Sequence, residues 1–178
     1  IPLDDKKTFD MLAAGRTVGV FQLESAGITS VCMGLRPRSI EDITAVIALY
    51  RPGPMESIPR FLACSAHPER ITYQHPLLEP ILAVTYGCIV YQEQVIEIFR
   101  QLAGFSLGQA DMIRRAMSKK KEAVITAERA AFVHGDPARS IPGAVANGVP
   151  EQTANAIYDE ILAFASYAFN KAHAVCYA

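Results

Sequence analysis

Apolar residues recur at three- and four-residue spacing through most of this chain, and glycines and prolines fall between the runs. That periodicity predicts amphipathic helices. Asp4 or Asp5 can cap a first helix reaching Leu12, with Gly15 supplying the left-handed residue beyond its end. Thr17 to Gln22 is β-branched and aromatic and predicts a short strand. Ser25 to about Gly34 predicts a helix of weak propensity, stopped by Pro37. Ser39 caps a run from Ile40 to Tyr50 whose apolar positions cover most of the circumference, so that helix should be buried. Arg51-Pro-Gly-Pro54 then predicts a rigid turn, and Pro59 fits the first turn of a helix reaching Ser65.

The second half reads the same way. Ala66 to Pro76 is a polar linker, Leu77 to Ala83 a short helix, and Thr85 to Tyr91 an extended segment. Gln92 to Ala103 turns Val95, Ile96, Phe99 and Leu102 inward, and Gly104 ends it. Ser106 with Gln109 three residues on is a capping box, which starts a helix at Leu107. One long basic helix follows, with Ile113, Ala116, Met117, Val124, Ala127 and Ala131 on a single apolar stripe. His134 to Gly143 is rich in breakers and predicts a mobile surface loop; Pro150 begins a helix buried along Ala154, Ile157, Ile161, Leu162 and Ala165. A last helical run follows Ser166 to His173. The sum is a mainly α fold with two or three short extended segments.

Composition changes little except through charge placement. With 178 residues, 51% hydrophobic and 20% charged, the chain can bury a good core. Its net charge of -1 argues against a general DNA-coating protein, yet five cations crowd into the eight residues from Arg114 to Lys121. Cys32, Cys64, Cys88 and Cys176 stand apart from one another and from histidines at ligand spacing, which argues against a zinc site and a disulfide scaffold and suits a reducing cytoplasm. No apolar run is long enough for a bilayer-spanning helix, so no membrane partner is expected. The chain opens Ile-Pro-Leu and stops inside a helical run, which reads as a segment of something longer.

Three features point to a phosphate or nucleotide. Arg114, Arg115 and Lys119 to Lys121 can offer bidentate and point-charge contacts to phosphate oxygens. Arg51 stands on a stiff turn. Tyr167, Phe169, Asn170, Lys171 and His173 combine aromatic faces, an amide and cations within seven residues. The plainer readings are a solvated basic face, core aromatics and a helix-capping Asp pair; Glu93 suits a helix first turn as well as it suits catalysis. A helical interaction module whose basic face docks nucleic-acid backbone or an acidic partner is the alternative function.

Several strings resemble the alpha subunit of bacterial DNA polymerase III, the family C replicative polymerase. They are Ile1-Pro-Leu-Asp-Asp5, Gly19-Val-Phe-Gln-Leu-Glu-Ser25, Leu49-Tyr-Arg-Pro-Gly-Pro-Met-Glu-Ser57, His75-Pro-Leu-Leu-Glu-Pro80, Thr85-Tyr-Gly87, Ile89-Val-Tyr-Gln-Glu-Gln94, Arg114-Arg-Ala-Met117 with Lys119-Lys-Lys121, and Phe169-Asn-Lys171 with His173. The resemblance runs in order through nearly the whole chain. It departs from the family's usual strings at Ser118, Ser166, Ala168 and Ala172.

The resemblance implies a helical fingers domain over residues 25–178, preceded over residues 1–24 by the end of the palm or the palm-to-fingers connection, with 135–143 as an inserted loop. It implies that Arg114, Arg115, Lys119 and Lys121 grip the triphosphate of an incoming dNTP and that Tyr167, Asn170, Lys171 and His173 line the same pocket. Arg51 and Lys120 would meet nucleic acid. It implies no catalytic residue in this segment, with Mg2+ held by palm residues outside it. Expected partners are primer-template DNA, the remainder of the alpha subunit and, through it, the sliding clamp and other holoenzyme subunits.

Overall fold

In a computed structural model, residues 2–51, 53–119, 122–165 and 169–178 are described. Among them the chain forms ten α-helices and short 3-10 turns, and no β-strand. The mainly helical expectation therefore stands. The chain folds as two compact units: residues 1–71, 84–90 and 169–178 make the first, and residues 72–83 and 91–168 the second.

In the first unit, α1 (Lys6–Ala13) starts where Asp5 accepts a hydrogen bond from the Lys7 N–H, and Gly15 takes the left-handed conformation just past its end. α2 (Ala26–Leu35) packs against α1, against α3 (Ile40–Leu49) and against α4 (Ile58–Ala66). α3 is the buried centre. Ser39 accepts from the Asp42 N–H at its start, and every residue from Asp42 to Leu49 is buried. Asp42 tolerates burial because its carboxylate accepts from the Tyr86 hydroxyl at 2.6 Å and the Arg38 N–H at 2.9 Å. α10 (Lys171–Tyr177) lies against α3. Of the four free thiols, those of Cys32, Cys64 and Cys88 are buried and that of Cys176, on α10, is exposed.

Among the described residues neither expected extended segment forms a strand, although Tyr91, at the end of the second, is a bridge residue. Thr17 to Gln22 folds into consecutive turns, with Val20 N–H bonded to Thr17 O and Leu23 N–H to Val20 O, each at 3.0 Å. Gly19 and Gln22 have positive φ, and the Thr17 hydroxyl is bonded to that of Thr29. β-propensity reports a fit to a neighbouring strand, and no strand exists among the described residues to be fitted. At Thr85 to Tyr91, Tyr86 and Gly87 are both left-handed and Thr85 Oγ1 donates to Cys88 O, so the segment turns before Cys88 to Val90 run buried as irregular chain.

In the second unit, α5 (Glu79–Leu82) leads to α6 (Gln92–Ala103), which ends at left-handed Gly104. α7 (Leu107–Ser118), α8 (Glu122–His134) and α9 (Glu151–Ala165) pack against one another and against α6. Their core is aromatic: the Phe99 ring meets Phe105, Phe132 and Tyr158 with centroids 5.2, 5.0 and 5.9 Å away. The expected single basic helix is two helices. Ile113, Ala116 and Ala131 are buried as expected, but Val124 and Ala127 are exposed, because α8 restarts at Glu122 with a new phase and buries Ala131, Phe132 and Val133 instead.

The stretch from His134 to Gly143, expected as a mobile loop, is knitted into the unit together with the residues that follow it to Gly148. Asp136 and Ile141 form an isolated antiparallel bridge, and the N–H groups of Gly143, Ala144 and Val145 donate to Ala103, Phe132 and Val133 carbonyls. Gly135 and Gly143 abut so closely that a Cβ on Gly143 would lie 2.3 Å from the Gly135 nitrogen. Arg139 bonds both Glu128 carboxylate oxygens and Asp136. That partner lies eleven residues back and on another helix, out of reach of a reading based on breakers alone.

Candidate functional site

The expected phosphate-contacting side chains fall in both units. In the second unit they stand on α7, whose start is fixed by the capping box read from the sequence: the Gln109 N–H donates to Ser106 Oγ at 3.3 Å and the Ser106 N–H to Gln109 Oε1 at 2.8 Å. The Gln109 side chain also donates to Arg139 O at 3.1 Å, tying this helix start to the 135–148 segment. Ala110, Ile113 and Ala116 bury one face, which leaves the intervening positions to Asp111, Arg114 and Arg115.

One carboxylate holds both arginines. Asp111 Oδ1 accepts from Arg114 Nε and Nη2, each at 2.9 Å, and Asp111 Oδ2 pairs with Arg115 Nε at 2.7 Å. Arg114 Nη1 donates to Gln92 Oε1 at 2.7 Å, so that guanidinium is pinned from α6 as well. The Arg114 side chain is 21% exposed and that of Arg115 is 67% exposed. Lys119 is exposed in the turn after α7, its N–H donating to Arg115 O. Lys120 and Lys121 lie outside the described residues. Sequence reasoning picked out the cations and passed over Asp111, although its spacing of three and four residues to the two arginines was a legible signal for a helical ion pair.

In the first unit, Arg51 follows α3, and its guanidinium carbon lies 4.0 Å from the centroid of the Phe169 ring. This is cation–π geometry. Burial lowers the Arg51 pKa from its ordinary value. The Arg51 carbonyl accepts from the Met55 N–H at 3.2 Å, and Gly53, at φ 99°, supplies the conformation that lets the turn close.

The aromatic-Asn-Lys-His string becomes the start of α10. Asn170 Oδ1 accepts from the His173 N–H at 2.9 Å, a helix N-cap. His173 is exposed, and its ring lies edge-on to Phe169 at 5.3 Å and to Tyr177 at 4.8 Å; Tyr177 in turn meets Phe21 at 5.2 Å. Lys171 is half-buried. Tyr167, with Ser166 and Ala168, lies outside the described residues. The structure thus brings Arg51 and His173 against one ring, Phe169, and it brings Arg114 and Arg115 onto one carboxylate. Phe21 and Tyr177 extend the row of rings beyond what the sequence reading named. Beside them, Phe21, Gln22, Ile28, Ile47 and Tyr50 line part of a cleft of about 510 Å³.

Among the described residues, no cluster of three or more His, Cys, Asp or Glu side chains could hold a metal ion, and no helix is long and apolar enough to cross a membrane.

The chain is similar over 99% of its length to proteins named DNA polymerase III subunit alpha. It is 53% identical to that of Staphylococcus epidermidis, 52% to that of Halalkalibacterium halodurans and 49% to one from Staphylococcus aureus. It spans only 15–16% of the length of these relatives. Residues 1–139 match the family described as the bacterial DNA polymerase III alpha subunit finger domain. Matched over most of its residues, and folded as helices that carry the two arginines on one carboxylate, the chain belongs to that finger-domain family.

Proposed function

We propose that this segment serves, within a full-length polymerase, as fingers that hold the triphosphate of an incoming deoxynucleotide and help close the active site during template-directed DNA synthesis. The observation that carries the reading is the paired guanidinium groups of Arg114 and Arg115, held by a shared carboxylate on a helix of the finger-domain family. Arginine's planar fork suits phosphate oxygens, and donors already oriented lose little on engaging them. Lys119 and Lys121 add point charges, and Tyr167, Asn170, Lys171 and His173 contribute ring, amide and cation contacts to the nucleotide. Arg51 and Lys120 reach the nucleic-acid backbone.

In this reading the primer 3′-hydroxyl attacks the α-phosphate and pyrophosphate leaves. The arginines stabilise charge on the departing phosphates. Mg2+ bound by palm residues outside this segment would supply the Lewis-acid chemistry. The partners are the dNTP, primer-template DNA, the rest of the alpha subunit and, through it, the sliding clamp and other holoenzyme subunits, in the cytoplasm.

The test is single-nucleotide insertion by the full-length enzyme carrying Arg114→Ala or Arg115→Ala. The expected result is a loss in kcat/KM for the dNTP of about 100-fold, with primer-template Kd changed less than threefold, on the scale of removing one strong transition-state donor. Weakened primer-template binding with unchanged nucleotide kinetics would instead favour a helical module docking nucleic-acid backbone.

A further inference from the structure

Arg114 and Arg115 do not stand free for an anion. Both are anchored through Nε to opposite oxygens of Asp111, at 2.9 and 2.7 Å, and Arg114 is held again by Gln92. A carboxylate beside an anion site is electrostatically wrong for affinity, since it repels the ligand and neutralises part of the cationic charge. An exposed ion pair, moreover, contributes little to folding. Arg114, 21% exposed and bonded to α6, can add to stability through Asp111, but Arg115 is 67% exposed, so stability does not account for the same carboxylate gripping that second guanidinium group. Geometry accounts for it better. Fixing Nε stops the last rotations of a long side chain, which would otherwise be frozen when the phosphate arrives or during the reaction.

We infer that Asp111 is a positioning residue of the nucleotide site: it trades ground-state affinity for orientation, holding both guanidinium groups where charge develops on the departing phosphates. The inference rests on the reading that Arg114 and Arg115 grip the triphosphate. It makes Asp111 differ from its neighbours in sign. Removing an arginine weakens nucleotide binding, whereas removing the Asp111 charge leaves binding intact or tightens it and slows the chemical step. Gln92 acts the same way on Arg114 alone, and without charge.

The experiment is pre-steady-state single-nucleotide insertion by the full-length polymerase carrying Asp111→Asn, which keeps the shape of the side chain and removes its charge. The expected result is a fall of about 10-fold in the maximal insertion rate, with the apparent dNTP Kd unchanged or lower, on the scale by which small misplacements cost rate. Inorganic triphosphate, used as a competitive probe, is expected to bind the Asn variant at least as tightly as the parent. Asp111→Glu restores the charge at a displaced point and recovers part of the rate. An unchanged rate overturns the inference; so does a raised Kd with the rate retained, or a loss of Tm that accounts for all lost activity. Should Asp111→Asn fail to fold, Asp111→Glu and Gln92→Ala carry the test: a full parental rate in both would overturn the inference, and a reduced rate at parental Tm would sustain it. Should Arg114→Ala and Arg115→Ala leave nucleotide kinetics untouched, the triphosphate reading itself falls. Should they act while Asp111→Asn does not, only the role of Asp111 falls.

Discussion

Helices α7 and α10 both carry residues proposed above to meet the nucleotide, and they hold them by different means. α7 is twelve residues long, is capped by Ser106 and Gln109, and buries Ala110, Ile113 and Ala116, so its closure rests mainly on those residues and its arginines add only the smaller contribution of pairs with Asp111. Their orientation comes from Asp111 and Gln92, which are side-chain partners. α10 has seven residues and buries Ala174, while Asn170 is its cap and the His173 ring lies between Phe169 and Tyr177. On α7 the proposed nucleotide contacts and the buried face of the helix fall to different residues; on α10 the residues proposed to meet the nucleotide also start and pack the helix. If the proposed nucleotide role holds, substitution of exposed Arg115 should read out function with little loss of stability, and substitution on α10 should move function and folding together.

The comparison can be broken first where the effect is greatest. Phe99→Ala empties the centre of the aromatic core of the second unit and is expected to cost about 3–5 kcal/mol, whereas Arg115→Ala should change stability by less than about 0.5 kcal/mol. Thermal unfolding of the two variants checks this, and similar losses would show that the α7 arginines are part of the fold after all. At α10, Asn170→Ala is expected to cost about 1 kcal/mol by loss of the cap, while Asn170→Asp, an equally good cap, keeps stability. If Asn170→Asp keeps stability but loses nucleotide use in the full-length enzyme, the amide has a second role there. Full activity would reduce Asn170 to its cap.

The smallest effect lies in the segment that ties down the start of α7. Arg139→Gln, at a side chain more than a third exposed, is expected to cost about 0.5 kcal/mol. The Arg139 guanidinium, ahead of the other contacts, holds the Asp136 carboxyl below its ordinary value near 3.8. Because the folded value is depressed, this contribution is complete above that ordinary value and is lost as the pH falls through the depressed one. NMR titration of the Asp136 carboxyl should show its pKa rise in Arg139→Gln; an unmoved titration would mean that the backbone N–H groups, not Arg139, set it.

What could be read ahead of the structure was local. The Ser39 and Ser106 caps, the glycines at 15 and 104 and the largely apolar Ile40 run all act within a few residues, and each formed where the spacing placed it. The break between α7 and α8 was invisible because Lys119 to Glu122 are good helix formers and the apolar stripe continues in register across them. Thr17 to Gln22 failed as a strand because a strand needs a partner, and the hydroxyl of Thr29 took Thr17 instead. At the candidate site, the cations were legible as charge, but the group that orients them was not sought. Asp111 is an acid among bases, and a reading that looks for positive charge looks past it.

The thiols also have a practical consequence. Cys32 is pushed up to about 11 by burial, and Cys64 and Cys88 are buried as well, whereas Cys176 lies on the exposed side of α10. A maleimide dye added to this segment at neutral pH should therefore attach at one place, a turn from His173, and give an optical reporter for the start of α10 without any cysteine having to be engineered.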